Sequence, residues 1–312
     1  MRSPLVVVVL LNWNGWLDTV ACLKSLQRLV YDNFRVVVVD NGSTDDSVQR
    51  LSVWQPFVVL LEAGENLGFA AGNNVGIRWA LEQGAEYVLL LNNDTVVAED
   101  LLEAFVAAAQ ERPKAGALAA KIYYYDRPRT LWYAGSKSPT PWMAPMHIGQ
   151  EEEDQGQYEE MAPVTGINGC AFFARTEAIR EVGLLNERFF YKYEDVDWSL
   201  RFSKAGYETL YVPGAKVWHK VSQASGGLSP LWWYFDERSR LLWLELHFPK
   251  QGWEAFWGRA LRSLWRQLCQ TGWRGWPIAL ARLAGMADYL RGYEGPCPQW
   301  VVRLGRRSCE RA

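Results

Sequence analysis

Long apolar runs are missing from this 312-residue chain. No segment approaches the roughly 18 residues that a membrane-spanning helix needs. The apolar start Leu5 to Leu11 ends at polar Asn12 and Asn14, and it lacks the basic region and cleavage site of a signal peptide. Any membrane contact is therefore expected to be peripheral. Cysteine is sparse: Cys22, Cys170, Cys269, Cys297 and Cys309 lie far apart and form no CxxC pair. That spacing indicates neither a zinc site nor a disulfide framework, and it fits reduced thiols in a cytoplasmic protein. Excess charge is missing too. A formal net charge of -2 gives no general attraction to nucleic acid, and no nucleic-acid partner is expected. Absent as well are a P-loop lysine and the glycine spacing of a dinucleotide fingerprint, which disfavours a kinase or a Rossmann dehydrogenase.

What is abundant is tryptophan, with 17 residues, and the charge is unevenly placed. From Lys250 onward there are eleven Lys and Arg against four Asp and Glu. Up to Tyr125 the chain alternates strand-like and helix-like segments. Leu5 to Leu11 and Arg35 to Val39 are β-branched runs suited to strands buried on both faces, and Phe57 to Leu61 and Tyr87 to Leu91 follow the same rule. Trp16 to Leu29, Ser43 to Trp54, Asn73 to Gln83 and Ala98 to Glu111 read as helices, the second capped by Ser43-Thr44-Asp45-Asp46. This order predicts an α/β fold with a doubly wound sheet. After Pro113 the pattern is irregular, and Ser136 to Glu160, with three prolines and the cluster Glu151-Glu152-Glu153-Asp154, reads as a long loop. Strands are expected at Ala171 to Ala174 and Glu208 to Val212, and helices at Thr176 to Val182 and Val196 to Ala205.

A division into residues 1–228 and a Trp-rich basic helical extension, 229–312, is expected. Within the extension, Leu231 to His247 and Trp253 to Gln270 read as helices. In the latter, Trp253, Trp257, Leu261, Leu264, Trp265 and Leu268 mark one apolar stripe, with Arg259, Arg262 and Arg266 elsewhere. Such a helix either lies in a membrane interface or packs against the main domain.

Four clusters carry chemistry. Asp40 ends a strand and enters the turn Asn41-Gly42-Ser43-Thr44-Asp45, where it can accept from a pyrimidine imide or a ribose. Glu65 to Asn74, with Asn66, Gly68 and Asn73, is a Gly/Asn loop opening a helix, suited to phosphate or ribose. Asn92-Asn93-Asp94 follows an apolar run. It can be a simple turn, but a carboxylate at a strand's carboxyl end also suits a hard cation holding phosphate oxygens. Glu194, Asp195 and Asp197 sit among aromatics, where burial raises a carboxylate's proton affinity and suits it to base catalysis. They can equally cap the helix that begins near Val196.

Taken in order, these clusters resemble the inverting GT-A glycosyltransferases of family 2, in the rhamnosyltransferase-like branch. The resemblance spans residues 5–250 and rests on Asn12-Trp13-Asn14-Gly15, Asp40-Asn41-Gly42-Ser43, Asn66-Leu67-Gly68-Phe69 and Leu91-Asn92-Asn93-Asp94. It continues through Gly156-Gln157-Tyr158, Gly166 to Cys170, Glu194 to Asp197 and Trp218-His219-Lys220. It implies metal-dependent transfer of a sugar from a nucleotide-diphosphate donor, dTDP-rhamnose or a UDP-sugar, to a hydroxyl of a glycan or lipid-linked acceptor in cell-envelope polysaccharide synthesis. Asp195 is then the catalytic base, with Glu194 and Asp197 as supporting carboxylates. Asn12, Asp40, Asn66, Gly68, Asn73, Asn92 and Asn93 contact the nucleotide sugar, and Asp94 and His219 hold Mn or Mg. Asn92 stands where relatives carry a first Asp, and Ser239 departs from an Arg-Asn pattern, which leaves Arg238 without an assigned role. The implied location is the cytoplasm, peripheral on the inner face of the membrane. Two other classes compete: a sugar nucleotidyltransferase, which needs a basic Gly-rich loop after the first strand, and a non-catalytic carbohydrate- or membrane-binding protein.

Overall fold

The computed structural model describes residues 3–221, 229–271 and 275–309, excluding several side chains in 251–271 and those from 305 onward. Two compact units emerge: Met1–Asn186 with Glu194–Val221, and Glu187–Tyr193 with Ser222–Ala312.

In the first unit the β-branched runs become strands because their side chains are buried on both faces. β1 (Val6–Asn12), β2 (Phe34–Asp40), β3 (Val58–Glu62) and β4 (Tyr87–Asn92) are parallel, in the order β3-β2-β1-β4. Val6 through Leu10 are all fully buried, as two-sided coverage of a parallel sheet requires. Helices α1 (Trp16–Leu26), α2 (Ser47–Ser52), α3 (Gly68–Glu82) and α4 (Leu101–Glu111) alternate with these strands, with the short strand β5 (Thr95–Val97) preceding α4. The register Asn12↔Asp40 and Leu11↔Asn92 ends β1, β2 and β4 at one level. The strand order reverses between β1 and β4, the position where open α/β sheets bind ligands.

The sheet then continues as a mixed one. β6 (Ala115–Tyr124) is followed by the short β7 (Leu131–Tyr133), β8 (Ser136–Lys137), β9 (Met146–His147) and β10 (Ala162–Pro163). Next come β11 (Ala171–Arg175), α5 (Thr176–Val182), α6 (Glu194–Lys204) and β12 (Glu208–His219). β11 runs antiparallel between β4 and β6, while β6 and β12 are parallel. The fold is thus α/β, with the doubly wound order confined to its first half.

Several boundaries differ from expectation for local reasons. The helix expected from Ser43 begins at Ser47, because Ser43 N–H donates to Asp40 and the N–H groups of Thr44 and Asp45 to Asn14. α3 starts at Gly68 instead of Asn73, since Asn66 Oδ1 accepts from Gly68 N–H at 2.9 Å. β12 runs seven residues past Val212. The segment 136–160 carries the small β8–β9 hairpin. Buried Lys121 in β6 ties this segment down through Asp154, at 3.1 Å, and Glu159.

The second unit contains α7 (Pro230–His247), α8 (Gln251–Thr271), α9 (Trp276–Leu290) and α10 (Gln299–Cys309). Gly285 lets α9 meet α7, since a Cβ there would stand 2.2 Å from Tyr234 O. Arg282 and Glu237 form a buried ion pair across that contact at 2.5 Å. Arg238 is structural here: it donates to Gly295 O at 2.6 Å and lies over the Phe235 and Tyr234 rings. The stripe expected on α8 is displaced. Phe256, Ala260 and Leu264 are buried, whereas Trp265 is 72% exposed, one residue and 100° away. The side chains of Trp253, Arg259, Leu261 and Leu268 lie outside the described residues. Among the described residues, no helix is long and apolar enough to cross a membrane.

Breaking a buried ion pair leaves a desolvated charge behind, whereas an exposed pair is screened by water. Lys121→Met is therefore expected to lower stability by about 3 kcal/mol in urea unfolding. Arg28→Met, which breaks the exposed Arg28–Glu99 contact, should change it by less than about 1 kcal/mol. Equal losses would contradict the role given to Lys121.

Candidate active site

At the ends of β1 and β2, Asp40 is 2% exposed and held on both oxygens. Asn12 Nδ2 donates to its Oδ2 at 2.8 Å, and Ser43 N–H to its Oδ1 at 2.9 Å. Asn12 is fully buried and also accepts from Thr19 Oγ1 at 2.7 Å. Its amide therefore orients Asp40 and has little left to offer a ligand. The turn beyond Asp40 requires glycine: Gly42 has φ +71°, and a Cβ there would meet the Glu65 backbone at 2.5 Å. Asn41 bridges this turn to the start of α3, accepting from Leu67 N–H and donating to Asn66 Oδ1. Asn66 and Gly68 thus line the same edge. Asn73 is 2% exposed and its side chain donates back to Phe69 O, one helical turn earlier.

At the end of β4, Asn92 N–H donates to Cys170 O at 2.8 Å. Asn93 Nδ2 donates to Thr19 Oγ1 at 2.9 Å, which fastens the turn to α1. Asp94 then faces His219: Oδ1 and Nε2 are 3.1 Å apart. The contact follows from the pairing of β5 with the end of β12, in which Thr95 opposes His219. Lys220 N–H closes the ladder on Asp94 O at 2.9 Å. Burial works against a charge on His219, but the Cys170 sulfur beside it and the hydrogen bond to Asp94 outweigh this and raise its pKa to about 10. Nδ1 of His219 is buried without a hydrogen-bond partner among the described residues.

Asp195, in the first turn of α6, accepts from Gly169 N–H at 2.8 Å and Val196 N–H at 2.8 Å. The loop Gly166–Cys170 thereby joins the parts: Gly169 holds Asp195, and Cys170 bonds Asn92 through its carbonyl and adjoins His219 through its sulfur. Glu194 is buried. Asp197, 1% exposed, accepts from Arg201 at 2.8 Å, and Arg201 also binds the carbonyls of Val182 and Leu184. Asp197 therefore anchors α6 to the end of α5.

An Asp and a His in contact supply only two protein ligands, the His only once its Nε2 proton is displaced, and no group of three or more His, Cys, Asp and Glu forms a metal cluster among the described residues. Two ligands still fit Mg2+ or Mn2+, which commonly complete their shells with water and substrate phosphates.

The model of the glycosyl transferase family 2 matches residues 6–183, the stretch that carries Asp40, Asp94 and the loop bonded to Asp195. The chain belongs to this family. It is 29% identical over 227 residues to the N-acetylglucosaminyl-diphospho-decaprenol L-rhamnosyltransferase of Mycobacterium tuberculosis, covering 65% of this chain and 72% of the relative. To the dTDP-rhamnosyl transferase RfbF of Shigella flexneri it is 27% identical, with 65% and 67% covered. Its fold is that of the GT-A glycosyltransferases. The mannosyltransferase PcManGT from Pyrobaculum calidifontis, solved with GDP-Man and Mn2+, superposes with a TM-score of 0.57 over 93% of this chain and 88% of that one, at 16% identity. GalNAc-T7 with UDP, GalNAc and Mn2+ gives 0.59 over 69% of this chain and 44% of that one, also at 16% identity.

His147 and Trp132 of this glycosyltransferase were not singled out by their sequence. His147 donates from Nδ1 to Trp132 O at 3.2 Å, which leaves Nε2 to accept from Asn168 Nδ2 at 3.3 Å. Asn168 Oδ1 in turn accepts from Cys170 N–H at 2.8 Å. The Trp132 ring stands edge-on to both His147 and His219, each 4.8 Å away. The signal available was slight: a lone His inside a proline-rich loop.

Burial, countered by the hydrogen bond to Trp132 O and reinforced by His219, lowers the His147 pKa from 6.5 to about 4. The unfolded chain thus takes up this proton at higher pH than the folded protein does. The His147 contribution is constant above pH 6.5 and is lost as pH falls from there towards 4, by on the order of 3 kcal/mol. Urea midpoints measured across that range should fall for the wild type and less steeply for His147→Gln. Identical pH profiles would contradict a neutral buried imidazole.

Proposed function

We propose that this glycosyltransferase transfers a sugar, with inversion, from a nucleotide-diphosphate donor to a hydroxyl of a glycan or lipid-linked acceptor. The observation that carries this reading is the Asp94–His219 contact at 3.1 Å, with Asp195 fastened to the same Gly166–Cys170 loop. Asp195 accepts the acceptor's hydroxyl proton as that oxygen bonds the anomeric carbon. The bond from that carbon to the diphosphate oxygen breaks on the opposite face. Asp94 and His219 would hold Mn2+ or Mg2+, whose bound form supplies Lewis-acid neutralisation of the leaving diphosphate. Asp40, kept rigid by Asn12 and Ser43, receives the nucleobase, while Asn92, Asn66 and Gly68 face ribose and phosphate. Glu194 lies buried beside Asp195 and shapes its surroundings, and Asp197 fixes the helix that presents it.

The names of the two rhamnosyltransferase relatives favour a deoxythymidine-diphosphate rhamnose donor and a polyprenol-linked acceptor, with a UDP-sugar as the competing donor. A thermal-shift panel of nucleotide sugars with Mn2+ separates the two. The larger shift is expected for dTDP-rhamnose, and a larger shift with a UDP-sugar overturns that choice.

Loss of a positioned base typically costs 10²–10⁴ in rate. Asp195→Asn is expected to lower kcat by roughly 10³ with donor affinity within about threefold of wild type. Wild-type turnover by this variant rules out Asp195 as the base. Asp94→Ala and His219→Ala should each abolish the Mn2+-dependent part of donor binding in calorimetry. Donor binding and transfer unchanged after exhaustive EDTA treatment would remove the metal from this reading.

A further inference from the structure

α9 carries two apolar faces, and among the described residues only one is packed against a neighbouring helix. Ala279, Ala281, Arg282, Gly285 and Met286 are buried on the face that meets α7. On the other, Trp276, Leu280, Leu283 and Leu290 are 41%, 40%, 47% and 63% exposed. With Ala287 they fall at i, i+4, i+7, i+11 and i+14, which is one stripe of an α-helix. No charged residue interrupts it, although a solvent-facing stripe is ordinarily polar. Two further rings in the same unit stand in solvent, Trp265 at 72% on α8 and Trp300 at 48% on α10. A protein that stays single in water seldom leaves so much apolar surface uncovered.

The charge on this unit narrows what covers the stripe. Arg262 and Arg266 are exposed and flank Trp265, and the Arg291 side chain, just past α9, is 75% exposed. Among the acidic groups of the unit, Glu237 is paired with Arg282, Asp288 with Arg291 and Glu294 with Arg188, while Glu245, bonded by the Tyr289 hydroxyl, and exposed Glu254 keep their charge. A symmetric dimer through the same patch would set these arginines against their own copies, because a two-fold interface pairs one surface with itself. An anionic lipid surface reverses that sign: it takes the Trp and Leu side chains into the headgroup boundary and attracts the arginines around them. We infer that the exposed stripe of α9, together with the exposed arginines of the neighbouring helix α8, is a docking surface for an anionic bilayer. The inference holds whether or not the transfer reaction is as proposed above.

The test is co-sedimentation of the full chain with phosphatidylcholine vesicles, with and without phosphatidylglycerol. The wild type is expected to pellet with the anionic vesicles and to be released by raised salt. Leu280→Glu combined with Leu283→Glu should lower the bound fraction about tenfold, and Arg262→Glu with Arg266→Glu should reduce it selectively on anionic vesicles. Melting temperatures check that both variants are folded. If the double Leu substitution lowers the melting temperature, Leu283→Gln alone gives the same readout in milder form. Undiminished binding by these folded variants overturns the inference, as does failure of the folded wild type to bind. A concentration-dependent dimer in ultracentrifugation, abolished by the Leu substitutions, overturns it in favour of a second copy of the chain.

Discussion

Three residues of antiparallel pairing hold the chemistry of this protein together. β12 runs parallel to β6 as far as His219, and its last three residues also pair on their other edge with β5, immediately after the Asn92-Asn93-Asp94 turn. That ladder sets Asp94 against His219, which lies far along the chain. It is supported from beneath by α1: Val97 N–H donates to Ser25 Oγ, and the Cys22 thiol meets the Thr95 hydroxyl. Slipping the pairing by one residue would turn His219 to the opposite face of the sheet and undo the contact.

The Gly166–Cys170 loop makes the second joint. It precedes β11, the antiparallel strand between β4 and β6, so it emerges beside the end of β4. From there its backbone reaches both the Asp195 carboxylate and Asn92 N–H, and its Asn168 side chain receives the His147 network. These polar groups are half-buried and bonded to one another, and such an arrangement is stiff because a broken bond out of reach of water leaves a costly orphan. Preorganisation of this kind lets fixed groups act on a developing charge without first reorganising.

The C-terminal unit follows a different economy. Its interior is assembled around cations: Arg282 against Glu237 beneath Trp233, and Arg238 among Tyr234, Phe235 and Tyr293. Aromatic rings stabilise these guanidinium groups through their faces, which accounts for part of the high aromatic content. Trp265 on α8, Trp276, Leu280, Leu283 and Leu290 on α9, and Trp300 on α10 are turned outward.

Much of the α/β architecture was legible from residues alone. β1, β2, β3 and β4 announce themselves through unbroken Val and Leu runs, and Asp40 and Asp94 stand at strand ends where such sheets bind ligands. β6 could not be read in this way. All ten of its residues are buried, but Ala115 to Ala120 is glycine, leucine and alanine, with no β-branched signal. It is a strand because neighbours press on both sides: a Cβ at Gly116 would meet the Tyr207 side chain at 2.7 Å. α9 likewise gave no warning, since its stripe of Trp and Leu has the spacing of an ordinary core face. Sequence determined where β1, β2, β3 and β4 end and which residues are fit for chemistry, because propensity and side-chain type are local properties. Which carboxylate meets which imidazole, and which apolar face stays uncovered, was decided by tertiary packing alone, because both depend on register and contact between segments far apart in the chain.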